Sequence, residues 1–179
     1  QSIYCDRENN SVWIGLYNQG MCYYHPSMNK IVLYNKKMIN GDWKGEEIRC
    51  MLETSKGEIL MGTTQGVYRY EPETKSMNRF YHEFSQKNCC VLYEDSKKRV
   101  WVGTYHDGLY CIDHGKVQSY DYPDTDYQNE LDFSNIRVMV EDSSGRLWVS
   151  IYGGVGLFNP ENGQINLLSE QFPELKKYK

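Results

Sequence analysis

The segment Val100-Trp101-Val102-Gly103-Thr104 opens a pattern that occurs four times along the chain. Its counterparts are Val12-Trp13-Ile14-Gly15-Leu16, Ile59-Leu60-Met61-Gly62-Thr63 and Leu147-Trp148-Val149-Ser150-Ile151. The second residue of this core, Trp in three copies and Leu60 in the other, recurs after 47, 41 and 47 residues. Repetition at such a period is typical of proteins that stack one supersecondary unit several times.

Each repeat holds four short apolar runs. One run ends eight residues before the Trp or Leu position, at Cys5, Leu52, Tyr93 or Val140, and is followed by an acid, Asp6, Glu53, Glu94 or Glu141. The core described above is the second run. A third run, which a glycine opens, and a fourth run follow it. The runs are too short for helices and rich in β-branched and aromatic residues, so they predict strands. Four-stranded units at this period indicate the blades of a β-propeller.

The predicted fold is therefore all-β, with four antiparallel blades at residues 1–35, 48–81, 89–120 and 135–168 and a tail or linker at 169–179. The second run of each repeat is apolar on consecutive residues, which is expected of strands covered on both faces. Its small residue, Gly15, Gly62, Gly103 or Ser150, would allow a close approach by a neighbour. A plain β-sandwich is the alternative fold.

Composition excludes several classes of function. The 179 residues carry 20 Lys and Arg against 24 Asp and Glu, a net charge of −4, which argues against nucleic-acid binding. No apolar run approaches 18 residues, so we expect no direct membrane contact in this segment. The six cysteines are expected as small free hydrophobes. Cys111 and His114 alone do not make a metal site, and the sequence indicates no metal and no cofactor.

The full pattern resembles the two-component regulator propeller repeat. It reads most completely from Glu94-Asp95-Ser96 through the Val100 core to Gly108-Leu109-Tyr110, and the similarity spans roughly residues 3–168. The departures are Leu60 for Trp, Ser150 for Gly, and Asn10 and Lys98 where Gly57 and Gly145 indicate a turn glycine. Lys98 would be strained if that turn needs a positive φ.

The resemblance implies the periplasmic sensor region of a membrane-anchored hybrid two-component system. Proteins of this family carry such repeats ahead of an immunoglobulin-like domain, a membrane helix and a histidine kinase, none of which is present in these residues. Its members are similar to sensors of polysaccharide breakdown products. The implied function is non-catalytic sensing of an oligosaccharide.

Functional residues are expected on one face of the blades. The loops after the second and fourth strands are longer than the other turns, and binding residues concentrate on loops held by a rigid scaffold. The candidate ligand-binding residues on these loops are Tyr17, Trp43, Tyr105, His106, Asp107 and Tyr152. Aromatic faces beside polar groups suit sugar rings, whereas tyrosines packed between blades would be the structural alternative.

An acidic loop precedes the fourth blade. It contains Asp121, Asp124, Asp126, Glu130 and Asp132 and no Lys or Arg. It lacks the spacing and the glycine of a calcium-binding loop, so the simpler interpretation is a solvated loop. Such a loop would repel highly sulfated ligands and therefore favours neutral glycans.

Two other classes of function stay open beside sensing. One is a propeller enzyme acting on glycans, a lyase or glycosidase that uses His106 and Asp107. The other is a purely structural or dimerising module. The end blades predict association with neighbouring propeller blades or with a second copy of the chain, because repeat arrays normally need caps.

Overall fold

The computed structural model describes residues 2–6, 10–17, 20–122 and 131–178. It consists of two compact units, residues 1–92 and 93–179, and the boundary falls inside a strand. Each sequence repeat forms four antiparallel strands that are neighbours in the sheet in the order in which they occur in the chain. This confirms the predicted all-β fold of four-stranded units.

The first two sheets begin at residues 2 and 40. The strands of the first sheet are β1 (Ser2–Cys5), β2 (Val12–Leu16), β3 (Gly20–His25) and β4 (Lys30–Tyr34). The second sheet contains β5 (Asn40–Gly41), β6 (Ile48–Glu53), β7 (Ile59–Thr63), β8 (Gly66–Glu71) and β9 (Ser76–Arg79). The two-residue β5 is a fifth strand that the repeat pattern does not predict, and it pairs parallel to β9. Short 3₁₀ turns occupy Pro26–Met28 and His82–Phe84.

The third and fourth sheets complete the strand order. The third has β10 (Cys89–Glu94), β11 (Val100–Thr104), β12 (Leu109–Asp113) and β13 (Lys116–Tyr120). The fourth has β14 (Asp132–Glu141), β15 (Leu147–Tyr152), β16 (Gly154–Phe158) and β17 (Ile165–Leu167). The tail forms α1 (Leu168–Gln171) and a 3₁₀ segment at Pro173–Tyr178. No described helix is long and apolar enough to cross a membrane.

Burial differs between the two sheets of each unit. All five residues of β11 are buried, as are four of the five in β7, so these strands are covered on both faces as their consecutive apolar residues predict. In β2 and β15 buried residues alternate with more exposed ones. The first unit has a core of nine buried residues: Trp13, Met21, Ile39, Trp43, Ile48, Met61, Tyr68, Tyr70 and Met77.

Two glycine-related predictions are confirmed in the backbone. A Cβ at Gly15 would lie 2.7 Å from the carbonyl oxygen of Ile48, so a larger residue would separate β2 from β6. The turn between the first two strands of each repeat places Asn10, Gly57, Lys98 and Gly145 at φ values of 57°, 77°, 65° and 77°. Lys98 therefore occupies a left-handed conformation that costs a side-chain-bearing residue free energy.

An aspartate organises the turn before β11. The Asp95 carboxylate accepts hydrogen bonds from the backbone amides of Lys97 (3.0 Å) and Arg99 (2.9 Å), from Arg99 Nε (2.7 Å) and from Trp101 Nε1 (2.9 Å). Burial raises the pKa of this carboxyl, but the hydrogen bonds from Trp101 and Arg99 outweigh burial and hold the pKa below its ordinary value. The turn before β15 repeats the same contacts.

The repeated turn is built on Asp142. Its carboxylate accepts hydrogen bonds from the amides of Ser144 and Arg146, from Arg146 Nε (2.7 Å) and from Trp148 Nε1 (2.9 Å). These bonds, the one from Trp148 foremost, hold the pKa of Asp142 well below its ordinary value. The sequence pattern singled out the acids Glu94 and Glu141. The acids that organise the two turns, Asp95 and Asp142, each lie one residue later.

The preceding glutamates instead connect neighbouring sheets within each unit. Tyr4 in β1 donates a hydrogen bond from its hydroxyl to Glu53 in β6. In the second unit, Glu141 accepts from the backbone amide of Ser96 at 2.6 Å and from its hydroxyl at 2.7 Å. A carboxylate at this repeat position therefore fixes one sheet to the sheet before it.

Candidate functional site

The loop end of the second unit brings the predicted residues Tyr105, His106 and Tyr152 beside the start of β14. The backbone amide of Gly108 donates to the carbonyl oxygen of Ser134 at 2.9 Å, which holds the β11–β12 loop against that strand. Inside this loop the Thr104 hydroxyl donates to the carbonyl of Gly108 and accepts from the amide of Asp107. A rigid turn thus carries the loop residues of the site.

Arg137 is the residue that joins the two predicted tyrosines. Its guanidinium carbon lies 5.7 Å from the centre of the Tyr105 ring and 5.6 Å from that of Tyr152. Both distances are within the range of a cation–π interaction. Arg137 is exposed, Tyr152 is 53% exposed and Tyr105 is half-buried, so the group is open to solvent. We call these three residues the tyrosine–arginine cluster.

A β-bulge sets the direction of Arg137. Ile136 pairs with Ile151 and Val138 with Ser150, so Arg137 is an extra residue on β14 with no partner in the ladder. Such bulges turn a side chain away from its regular alternation. Arg137 Nε also donates to Oδ1 of Asn135 at 3.2 Å, and Asn135 is buried. The guanidinium is therefore held by one hydrogen bond and two rings.

His106 and Asp132 form a second polar pair at this end. The His106 Nδ1 lies 3.4 Å from Oδ2 of Asp132, and its ring meets that of Tyr105 edge to face with the centres 4.1 Å apart. The Asp132 carboxylate also accepts a 2.5 Å hydrogen bond from the Ser134 hydroxyl. The Asp107 side chain is exposed beside them. The surface therefore mixes aromatic faces with donors and acceptors.

The predicted residues of the first unit divide into one exposed and one buried aromatic. Tyr17 is 63% exposed, as a ligand contact requires. Trp43 is only 2% exposed: it belongs to the core and its Nε1 donates to the carbonyl oxygen of Glu46 at 3.2 Å. Trp43 has a packing role in this structure, because an indole between two turn glycines can fold inward as well as outward.

Part of the acidic loop lies outside the described residues. Asp124, Asp126, Glu130 and the neighbouring Tyr127 belong to residues 123–130, so the expectation about this loop stays a prediction. Among the residues that are described, no three His, Cys, Asp or Glu side chains cluster as metal ligands do.

A cleft of about 410 Å³ lies at the opposite end of the second unit. Its lining includes Lys97, Arg99 and Arg146 from the turns described above. Arg99 and Arg146 are each paired with the aspartate of their own turn at 2.7 Å. These cations serve the fold, and we place the candidate site at the tyrosine–arginine cluster.

Sequence comparison identifies the repeats. The family model described as the two-component regulator propeller matches residues 84–106 and 130–153. Two segments of the chain thus match the two-component regulator propeller repeat. The resemblance that the sequence suggested is thereby confirmed, and it falls on the segments that contain β11, the start of β14 and the tyrosine–arginine cluster. No curated protein sequence matches the chain significantly.

Solved structures with a similar fold include extracellular domains of putative two-component systems. One is the extracellular domain of a putative hybrid two-component system from B. thetaiotaomicron, with 17% identity, a TM-score of 0.72, and coverage of 96% of this chain and 25% of that one. A second such domain from the same organism has 27% identity, a TM-score of 0.68, and coverage of 93% and 21%. The chain thus spans about a quarter of their length or less. Virginiamycin B lyase from Staphylococcus aureus has 15% identity, a TM-score of 0.68, and coverage of 93% and 54%.

Sequence reasoning missed Asn135, Arg137 and the role of Asp132 in the site. A signal for Arg137 was present, since Arg49 and Arg137 both stand 11 residues before the Trp or Leu position of their repeat and both follow an isoleucine. Arg49 lies at the corresponding bulge of β6, between Ile48 and Cys50. An arginine that recurs at a bulge is thus a more direct sequence signal for a functional site at the loop end than the number of aromatic residues there.

Proposed function

We propose that this chain is a ligand-sensing, non-catalytic propeller segment of a membrane-anchored hybrid two-component sensor, located in the periplasm, and that it recognises oligosaccharides from polysaccharide breakdown. The observation that supports this most directly is the solvent-exposed tyrosine–arginine cluster at the loop end. The family repeats and the extracellular domains with the same fold support the sensor assignment.

The chemistry of the cluster suits a sugar. A tyrosine ring offers an apolar face to the C–H groups of a pyranose, while Arg137, His106 and Asp132 offer polar groups to its hydroxyls. Sites for small ligands generally combine apolar surface with a few placed polar groups in this way. The exposure of Tyr17 and Tyr152 also argues against a purely structural module, in which these rings would be covered.

The test compares an exposed aromatic with a buried one in the intact sensor region. Tyr152→Ala should weaken oligosaccharide binding by about 1–3 kcal/mol, as for an interface hot spot, and leave the melting temperature nearly unchanged. Trp43→Ala is the matched control: truncating this buried ring should cost about 3–5 kcal/mol of folding free energy. Calorimetric titration and thermal unfolding measure the two effects. Unchanged binding by the Tyr152 variant would refute this location of the site.

A glycan-degrading enzyme is the second candidate, and the His106–Asp132 contact is the observation that favours it. An imidazole oriented by a carboxylate can act as a general acid or base. Incubation of the protein with a polysaccharide panel separates the two functions: turnover that disappears in His106→Ala would establish the enzyme. Binding without any release of product would establish the sensor.

A further inference from the structure

We propose that the ligand carries a carboxylate, as in a uronic-acid oligosaccharide, and that Arg137 is the residue that selects it. This inference rests on the proposed function and names its substrate class. It differs from the preference for neutral glycans that the sequence suggested, because that preference rested on the acidic loop alone, whereas the cluster holds the cationic Arg137.

The charge of Arg137 is not neutralised by the described part of the chain. The other two arginines of the second unit, Arg99 and Arg146, are ion-paired with Asp95 and Asp142 at 2.7 Å. Within the described residues, no carboxylate lies within 4.0 Å of the Arg137 guanidinium. In a protein of net charge −4, a solvent-exposed arginine that lies between two rings and has no carboxylate partner among the described residues is available to an anionic ligand.

The second repeat supplies an internal comparison. Arg49 occupies the equivalent bulge, and its Nη2 lies 3.7 Å from the carboxylate of Glu47, two residues earlier. The residue two positions before Arg137 is Asn135, whose amide oxygen holds the Nε without bringing a negative charge. Among the described residues, the same scaffold position is thus paired with a carboxylate in one repeat and with a neutral amide in the other.

The geometry favours a carboxylate. The hydrogen bond to Asn135 uses the Nε of Arg137. Among the described residues no carboxylate contacts the terminal nitrogens Nη1 and Nη2, so these two can face a ligand. Two parallel N–H donors match the two oxygens of a carboxylate, and such bidentate pairs are among the stronger hydrogen bonds in proteins. The nearby Asp132 carboxylate is already bonded to Ser134 and lies against His106, which limits its competition for Arg137.

The experiment uses an array of uronic-acid oligosaccharides, each paired with its carboxyl-reduced, neutral counterpart, and the intact sensor region as the probe. We expect the acidic member of at least one pair to bind about 10-fold or more tightly than its neutral partner, since a hydrogen bond to a charged group contributes about 1.5–3 kcal/mol. Sulfated oligosaccharides on the same array distinguish carboxylate recognition from general attraction to anions.

Three variants locate the preference. Arg137→Gln should remove it, so that the acidic and neutral members of each pair bind with similar affinity. Asn135→Asp should also remove it, because an isosteric carboxylate at 135 would neutralise Arg137 as Glu47 does Arg49. Arg49→Gln is the matched control at the same bulge position and should leave the preference unchanged.

Each outcome decides the proposal. Equal binding of acidic and neutral members refutes carboxylate selection while leaving glycan sensing standing, and so does a preference that survives in Arg137→Gln. Tighter binding of sulfated than of carboxylated sugars also refutes it. Absence of binding to every glycan on the array refutes the proposed function and this inference together.

Discussion

Replacement of Asp95 by Asn should destabilise the protein far more than the same change at Asp142, although the two turns make the same hydrogen bonds. The Asn oxygen can still accept from the backbone amides, but its NH₂ group then faces two donors, Arg99 Nε and Trp101 Nε1. The Asp95 side chain is fully buried and Trp101 is 1% exposed, so water cannot replace the lost acceptor. Unsatisfied buried donors cost about 1–3 kcal/mol each, and an uncompensated buried charge adds to this, so we expect a loss of about 3–5 kcal/mol.

The control at Asp142 differs in exposure alone. Its side chain is 24% exposed and that of Arg146 is 57% exposed, so water reaches the donors when the carboxylate is removed. Urea denaturation of Asp95→Asn, Asp142→Asn and the unmodified chain, followed by circular dichroism, measures both losses under one condition. A similar shift of the two midpoints would refute the argument that burial, and not the number of hydrogen bonds, sets the cost.

Three further predictions concern the turns and the outer sheet. Lys98→Gly should raise the free energy of unfolding by about 1 kcal/mol by relieving a positive φ, and Gly57→Lys should lower it by a similar amount, both measured by urea denaturation. Hydrogen bonds lower the pKa of Asp95 and of Asp142, so the stability that these carboxylates add is present above their unfolded pKa, near 4, and is lost as the pH falls toward 2. The urea midpoint of unfolding should therefore fall between pH 6 and pH 2. It should fall less steeply in Asp142→Asn, which lacks one of the two carboxylates. The chain should associate through its exposed end sheets. Val140→Lys should weaken this association about tenfold, as measured by light scattering, because burying one valine contributes about 1.5–2 kcal/mol. An unmodified chain that stays strictly monomeric would contradict this prediction.

The basis of the association prediction is visible on the fourth sheet. Val138, Val140 and Val155 are 56%, 49% and 46% exposed, and Val138 and Val155 both pair with Ser150, which places them in one row across the sheet. At the matching positions of the third sheet, Leu109, the counterpart of Val155, is 0% exposed, and Val91 and Tyr93, the counterparts of Val138 and Val140, are partly buried. The same kind of apolar face is thus covered in a middle repeat and open in the last one, which is the arrangement that favours a further sheet on top of it.

The fold was predictable because its determinants repeat. Four copies of one pattern gave the strand order and the positions of the central strands, and they identified the turn at which Lys98 is strained. What the pattern could not give was any feature present once. The strand Asn40–Gly41 and the burial of Trp43 both arise in a connection between repeats, where no second copy of the sequence indicates which way a side chain turns.

The candidate site was predictable only in part, for a related physical reason. Exposed tyrosines follow from their place in loops, and Tyr17 and Tyr152 are exposed as expected. Arg137 depends on a bulge, and a bulge reverses the alternation from which the direction of a strand side chain is inferred. If Arg137 followed the regular alternation of a strand, the sequence would not predict its contact with Tyr105. The contact that defines the cluster therefore does not follow from the sequence pattern.

In the function that we propose, the two ends of a repeat divide stability from recognition. At the turn end, Asp95 and Asp142 bind the arginine and tryptophan of their own turns, so the charges there are matched inside the repeat and a substitution is expected to act on folding. At the loop end, Asn135 stands where the second repeat has Glu47, and among the described residues the bulge arginine Arg137 has no carboxylate partner. A single substitution two residues before the bulge arginine can therefore change the charge of the loop end. That separation is why the variants at Asp95 and at Arg137 should differ in kind, the first measured by unfolding and the second by ligand preference.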